Sequence, residues 1–121
     1  MDLIKKFNSF HDWYLMGIFA DREAGVIELS LMFDNRKDRA CVRFRGATRC
    51  FVNDFLIQNI IYDVKILTDF DAPDYRHALD ALEKSYFGKE SRPNKPIAVL
   101  TATLGAELLI EFDTVEAVEL P

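Results

Sequence analysis

Between Val26 and Arg45 the chain alternates between apolar and polar positions on either side of a polar turn, Asn35-Arg36-Lys37-Asp38. Ile27, Leu29, Leu31 and Phe33 share one side of the first arm. Ala40, Val42 and Phe44 share one side of the second, opposite Arg39, Cys41, Arg43 and Arg45. A period of two on both arms predicts an antiparallel hairpin with one dry and one wet face. Opposed residue numbers summing to 73 set Phe33 against Ala40, Leu31 against Val42 and Leu29 against Phe44. Outside, Asp34 then faces Arg39, and Glu28 faces Arg45.

The same reading extends along the chain. Asp2 to Phe10 reads as a short helix or lead-in, with Leu3, Phe7 and Phe10 at helical spacing. Asp12 to Ala20 reads as a strand with Trp13, Leu15 and Phe19 on one face and Tyr14, Met16 and Ile18 on the other. Apolar residues on both faces place it centrally in a sheet. After a corner at Gly46-Ala47-Thr48, Cys50 to Phe55 fits strand or turn. Leu56 to Leu67 is strand-like, with Ile60, Tyr62, Val64 and Ile66 on one face and Asp63 and Lys65 on the other.

Asp71-Ala72-Pro73 predicts a helix start, with Asp71 as N-cap and a first-turn proline. Tyr75, Leu79, Leu82 and Tyr86 form the apolar stripe of a helix over Tyr75 to Phe87, which Gly88 would cap. Three strands follow: Ile97 to Thr103, Glu107 to Asp113 and Val115 to Leu120, the first two joined at Gly105. The expectation is a single α+β domain over residues 1–121, with a mostly antiparallel sheet of six to seven strands and one main helix packed on it. Strands apolar on both faces leave room for that sheet to curl.

Composition narrows the class. A chain of 121 residues, half of them apolar and ten of them Phe, can bury a core without disulfides or metals. No apolar run approaches the roughly 20 residues that span a bilayer, and the acidic second residue does not suit a signal peptide. A cytoplasmic protein is the default expectation, in which Cys41 and Cys50 stay reduced. The net charge is −5. Between Arg36 and Arg49 there are six basic residues and one acid; from Leu104 onward there are five acids and no Lys or Arg. The asymmetry either steers a charged partner or is cancelled by pairing of the two segments within the sheet.

Few residues suggest chemistry. The two histidines, His11 and His77, have no zinc spacing, and the glycines stand singly, so neither a metal, a phosphate loop nor a cofactor is expected. His11 and Asp12, adjacent on an extended chain, would point apart; a junction role is favoured over a catalytic one. Asn53 and Asp54 suit a turn, whereas Asn59 interrupts a large apolar run and either satisfies a bulge or lines a pocket. The row Arg39, Arg43, Arg45 could meet phosphate. It lacks interleaved aromatics in an acidic protein, so nucleic acid is disfavoured. Glu107, Leu109, Glu111 and Asp113 fall on one face of their strand, opposite Leu108, Ile110 and Phe112. They form a candidate surface for a basic protein.

Phe10-His11-Asp12-Trp13-Tyr14-Leu15, followed by an alternating strand pair, resembles the Phe-His-Asp start of small bacterial β-rich families, some assigned as immunity proteins of polymorphic toxin systems. Val52-Asn53-Asp54-Phe55, Asn59-Ile60-Ile61-Tyr62-Asp63-Val64 and the Gly105-Ala106 hairpin follow in a similar order. The resemblance implies a non-enzymatic interaction protein and no catalytic residues. The expected function is therefore a protein-binding module, immunity-like, that neutralises a partner by surface blocking through Glu107, Leu109, Glu111 and Asp113. The alternative is a small-molecule-binding protein or enzyme with a pocket between sheet and helix lined by His11, Asn59 and Asp63. A homo-oligomer formed by edge pairing at the last strand is compatible with both.

Overall fold

The computed structural model describes residues 5–86 and 93–121. It contains eight strands and one main helix: β1 (Tyr14–Asp21), β2 (Val26–Met32), β3 (Arg39–Arg45), β4 (Arg49–Asn53), β5 (Ile60–Leu67), α1 (Pro73–Ser85), β6 (Ile97–Leu104), β7 (Glu107–Glu111) and β8 (Thr114–Leu120). The strands form one antiparallel sheet in the order β4-β7-β6-β5-β1-β2-β3-β8. β4, the segment compatible with strand or turn, raises the expected six or seven strands to eight. The sheet is open rather than curled into a barrel: β4 and β8 are its edges.

The connections shape this sheet. β3 and β4 stand six positions apart, about 29 Å in a flat sheet. Only Gly46-Ala47-Thr48 joins them, a reach of at most about 14 Å. The sheet therefore cannot lie flat. Its halves, β4-β7-β6-β5 and β1-β2-β3-β8, join at the pair Tyr14–Ile60, flanked by Leu15 N–H to Asn59 O and Ile61 N–H to Trp13 O, and bring their inner faces together. Leu15, Leu29, Leu31, Val42 and Phe44 from one half share a core with Ile61, Val64, Leu108, Ile110 and Phe112 from the other. The rings of Phe44 and Phe112 stand 5.0 Å apart across it. At the crossing, Gly46 (φ +64) lies where a Cβ would overlap the Asp113 carboxylate, so the corner requires glycine.

Phe7, Phe10 and Trp13 close one end of this core, with Phe7 stacked on Phe10 at 4.7 Å and Trp13 edge-on to both. Leu3 lies outside the described residues. The lead-in is helical at Lys5 and Lys6 and then passes into the turn Asn8–Phe10, whose φ angles of 53, 52 and 57 are left-handed. Burial of Phe10 and the bonds Phe10 N–H to Phe7 O and His11 N–H to Asn8 O hold this turn against its backbone cost.

α1 covers the outer face of the β4-β7-β6-β5 half, burying Tyr75, Ala78 and Leu82 against Ile97, Val99, Leu109 and Phe51. Pro73 begins the helix, but the N-cap residue is Ala72 and makes no side-chain cap. Asp71 sits one residue too early and reaches Arg76 at 3.7 Å instead. Ala78 takes the buried place expected of Leu79, which is half-buried. Phe87 and Gly88 lie outside the described residues. Tyr86 ends beyond the helix, its hydroxyl accepting from Cys50 N–H at 2.7 Å and donating to Cys50 O at 3.1 Å. The phenol thus occupies backbone groups on edge strand β4 that another chain could otherwise pair with. Tyr86→Phe is expected to cost about 1 kcal/mol and to speed amide exchange at Cys50; unchanged exchange there would rule out this edge-capping role.

Three local expectations need correction. The β2–β3 hairpin pairs with numbers summing to 71, so Leu31 faces Ala40, Leu29 faces Val42 and Glu28 faces Arg43. The faces are as expected but the register is two residues away. The turn is centred one residue earlier than expected, because Phe33 N–H pairs with Asp38 O while Asn35 Oδ1 accepts from Lys37 and Asp38 N–H. In β1 a bulge between Leu15 and Gly17 turns Ile18 toward the core and leaves Met16 and Phe19 exposed. In β5 the register shifts between Ile61 and Asp63, so Ile61 and Val64 are buried while Tyr62 is exposed. An extra residue in one strand inverts every side chain beyond it.

Candidate functional site

The charge asymmetry resolves within the sheet. The basic segment contributes β3 and β4, and the acidic segment contributes β7 and β8; β3 pairs with β8 and β4 with β7. Arg43 donates to Glu28 at 2.7 Å and to Glu116 at 3.0 Å, and Arg45 donates to Glu116 at 2.8 Å. Two of the three arginines in the row are thereby engaged, and Arg39 stands at the exposed end opposite Leu120. The hydrogen bonds from Arg43 and Arg45 hold the Glu116 carboxyl below the usual carboxylate range. Their contribution is fully present above that ordinary range and lost as the pH falls through the depressed value. In a carbon-detected titration Glu116 should therefore titrate below the ordinary glutamate range; a midpoint within that range would show the pairing absent in solution.

The proposed acidic surface does not assemble. Glu111 is buried and forms a two-point pair with buried Arg49, Nε to Oε1 at 3.1 Å and Nη2 to Oε2 at 2.7 Å. The Thr48 hydroxyl adds a bond to Oε1 at 2.5 Å. Leu109 lies half-buried under α1. Asp113 sits past the end of β7 and meets Lys95 at 3.2 Å. Glu107 alone remains exposed on the strand. The wet face of β7 is wet in pattern only, because the helix covers it.

His11, Asn59 and Asp63 do not line one pocket either. His11 is exposed, its Nδ1 2.7 Å from Tyr62 O. Asp12 has φ 67, so the chain is not extended there, and its carboxylate comes within 3.5 Å of His11 Nε2 rather than pointing away. Asp63 accepts from the Thr101 hydroxyl at 2.5 Å on the outer face.

Asn59 is the informative member. It is buried, and its amide oxygen accepts from Leu56 N–H and Ala106 N–H, both at 2.9 Å. Its amide nitrogen donates to Leu56 O at 2.8 Å and reaches Leu15 O at 3.5 Å. One side chain thus ties the 54–58 loop to β1 and to the β6–β7 turn. Gly105 (φ +87) gives it room, since a Cβ there would overlap the Asn59 oxygen.

The loop so pinned carries three consecutive large apolar residues outward. Phe55 and Leu56 are 48% and 49% exposed, and Ile57 is fully exposed. Asp54 starts the loop with φ 58, a conformation aspartate tolerates. Beside Ile57 lies a shallow depression walled by Tyr14, Met16, Met32 and Arg36. By alternation alone Leu56 and Ile57 fall within a strand over 56–67. The turn formers on both sides, Asn53-Asp54 and Gln58-Asn59, are the signal that could have separated them.

A second concavity, of about 360 Å³, lies between α1 and the outer face of the sheet. It is where the sequence placed a pocket, but with different walls: Phe51, Leu67, Val99 and Leu109 below and Ala78 and Ala81 above. Burial pushes the Cys50 thiol up to about 11 and also raises Cys41. Among the described residues, no group of three or more His, Cys, Asp or Glu could hold a metal ion, and no helix is long and apolar enough to cross a membrane. Neither a protein-family model nor a curated protein matches the chain.

Proposed function

We propose that this chain is a non-enzymatic protein-binding module whose principal contact is the loop Phe55-Leu56-Ile57 with the adjoining Tyr14–Met16 depression. The observation that carries this reading is the combination of exposure and rigidity. Large side chains stand in water while the backbone beneath them is fastened by a buried, fully engaged asparagine. Exposed apolar groups cost solubility unless they meet something, and a backbone already fixed loses little further entropy on binding. Ile57 and Leu56 then act as anchors entering an apolar pocket of the partner.

The partner is a protein, and the net charge of −5 favours a basic one. Its action is blocked sterically, as the resemblance to immunity proteins implies. Leu109 and Glu111 have no part in this contact, being covered by the fold.

The test is site-specific photo-crosslinking at position 57, with position 84 on the exposed side of α1 as control. The expected outcome is a partner protein crosslinked at 57 and not at 84. Ile57→Asp should weaken its binding at least about tenfold while leaving the unfolding midpoint unchanged. Equal labelling at the two positions, or full affinity in Ile57→Asp, would refute the loop as the contact.

A further inference from the structure

We infer that the trough between α1 and the sheet is a binding site for a small apolar molecule carrying a protonated amine, a site separate from the 55–57 loop. Its floor consists of side chains that the helix leaves half-buried: Phe51 from β4, Leu109 from β7, Val99 from β6 and Leu67 from β5. The β-ladders set Phe51 opposite Leu109 and Leu109 opposite Val99, so three of them form one continuous row. Where α1 crosses this row it presents Ala78 and Ala81. Methyl groups over large apolar side chains leave an unfilled trough within the size range of small-molecule sites.

The charges at the rim select the ligand. Asp74 and Glu107 are the acids of the lining, Lys65 and His77 its basic residues. Lys65 faces a carboxylate of its own strand, Asp63, at 3.9 Å. Asp74 stands in the first turn of α1 and accepts from Tyr75 N–H at 2.8 Å, where the helix N-terminus offsets its charge. The Glu107 carboxylate has neither a hydrogen bond nor an ion pair among the described residues, and it lies beside Asn53, its cross-strand partner. A carboxylate without a partner at the lip of an apolar trough favours a cation whose body is apolar. An anion of the same shape meets repulsion there. The Phe51 ring in the floor adds a face that attracts an ammonium.

The test uses three probes of matched shape, 2-phenylethylamine, 2-phenylethanol and 3-phenylpropionate, titrated into the full chain and followed by amide chemical shifts. The expected result is that the amine moves the Val99, Leu109 and Ala81 amides and binds at least about tenfold more tightly than the carboxylate. Glu107→Gln, an exposed change that leaves the fold intact, should weaken the amine about fivefold or more and leave the alcohol unaltered. Ala81→Phe, which fills the trough, should abolish both; Ala81→Ser, which does not fill it, should retain them. The inference is overturned if no probe moves those amides, if the carboxylate binds as well as the amine, or if Glu107→Gln leaves the amine affinity unchanged.

Discussion

Glu111→Ala is expected to destabilise the protein by about 3–5 kcal/mol, because it strands the Arg49 guanidinium in a buried site. The side chains of the pair are 9% and 3% exposed, so water cannot take over as partner for Arg49. Arg49→Ala also removes the buried two-point pair, but Glu111 keeps the Thr48 hydroxyl as a donor, so its cost should be smaller. Loss of both together should cost less than the sum, because the Glu111 change already includes the penalty of an orphaned Arg49 charge. Urea unfolding of the two single variants and the double variant measures this coupling. Additive losses would mean the two charges do not depend on each other. The pair ties β4 to β7 beneath α1, so its loss should also expose the trough floor. An exposed pair such as Lys84–Asp80 should contribute less than 1 kcal/mol by the same measurement.

Asn59→Ala is expected to cost about 3 kcal/mol or more. Two N–H groups, on Leu56 and Ala106, lose their acceptor, and the Ala106 group is buried. Each buried donor left without a partner costs about 1–3 kcal/mol. Asn59→Asp retains the acceptor oxygens but removes the donor to Leu56 O and places a charge in the interior, so it does not rescue the fold. A functional consequence separates this residue from an ordinary core position. Once the loop is unpinned, Phe55, Leu56 and Ile57 become mobile, and partner binding should fall further than the change in folded fraction accounts for. Amide exchange at Leu56 reports the unpinning directly. Protection at Leu56 equal to that of the parent protein would contradict the clamp.

The sequence made some elements readable and hid others for identifiable reasons. Hairpin arms at 26–32 and 39–45, the strand after Pro96 and the turn at Gly105 follow from alternation and turn chemistry within a few residues. Burial of Leu108, Ile110 and Phe112 follows in the same way. The faces of β1 beyond Met16 and of β5 near Tyr62 are not legible in the sequence, since a bulge is a property of the paired ladder and leaves no mark on one strand's alternation. The acidic side of β7 looked solvated because alternation says which residues share a face, not what lies against it. Asn59 stood out as anomalous, and its role as a clamp depended on Leu15 and Ala106, 44 and 47 residues away.

By itself, then, the sequence determined the local alphabet of this protein: period-two strands, a helix opened by Pro73, and a tight turn at Gly105. Steric limits and burial of alternate side chains act between residues a few positions apart. Only the tertiary structure decided which strands became neighbours, that the basic and acidic segments neutralise each other, and that Ile57 stands outside while Glu111 lies within. Those outcomes rest on contacts such as Arg49–Glu111 and Arg43–Glu116, between residues 62 and 73 apart. Such contacts form only when the whole chain closes around one core, because the closure entropy of so long a loop has to be offset by burial contributed by every element.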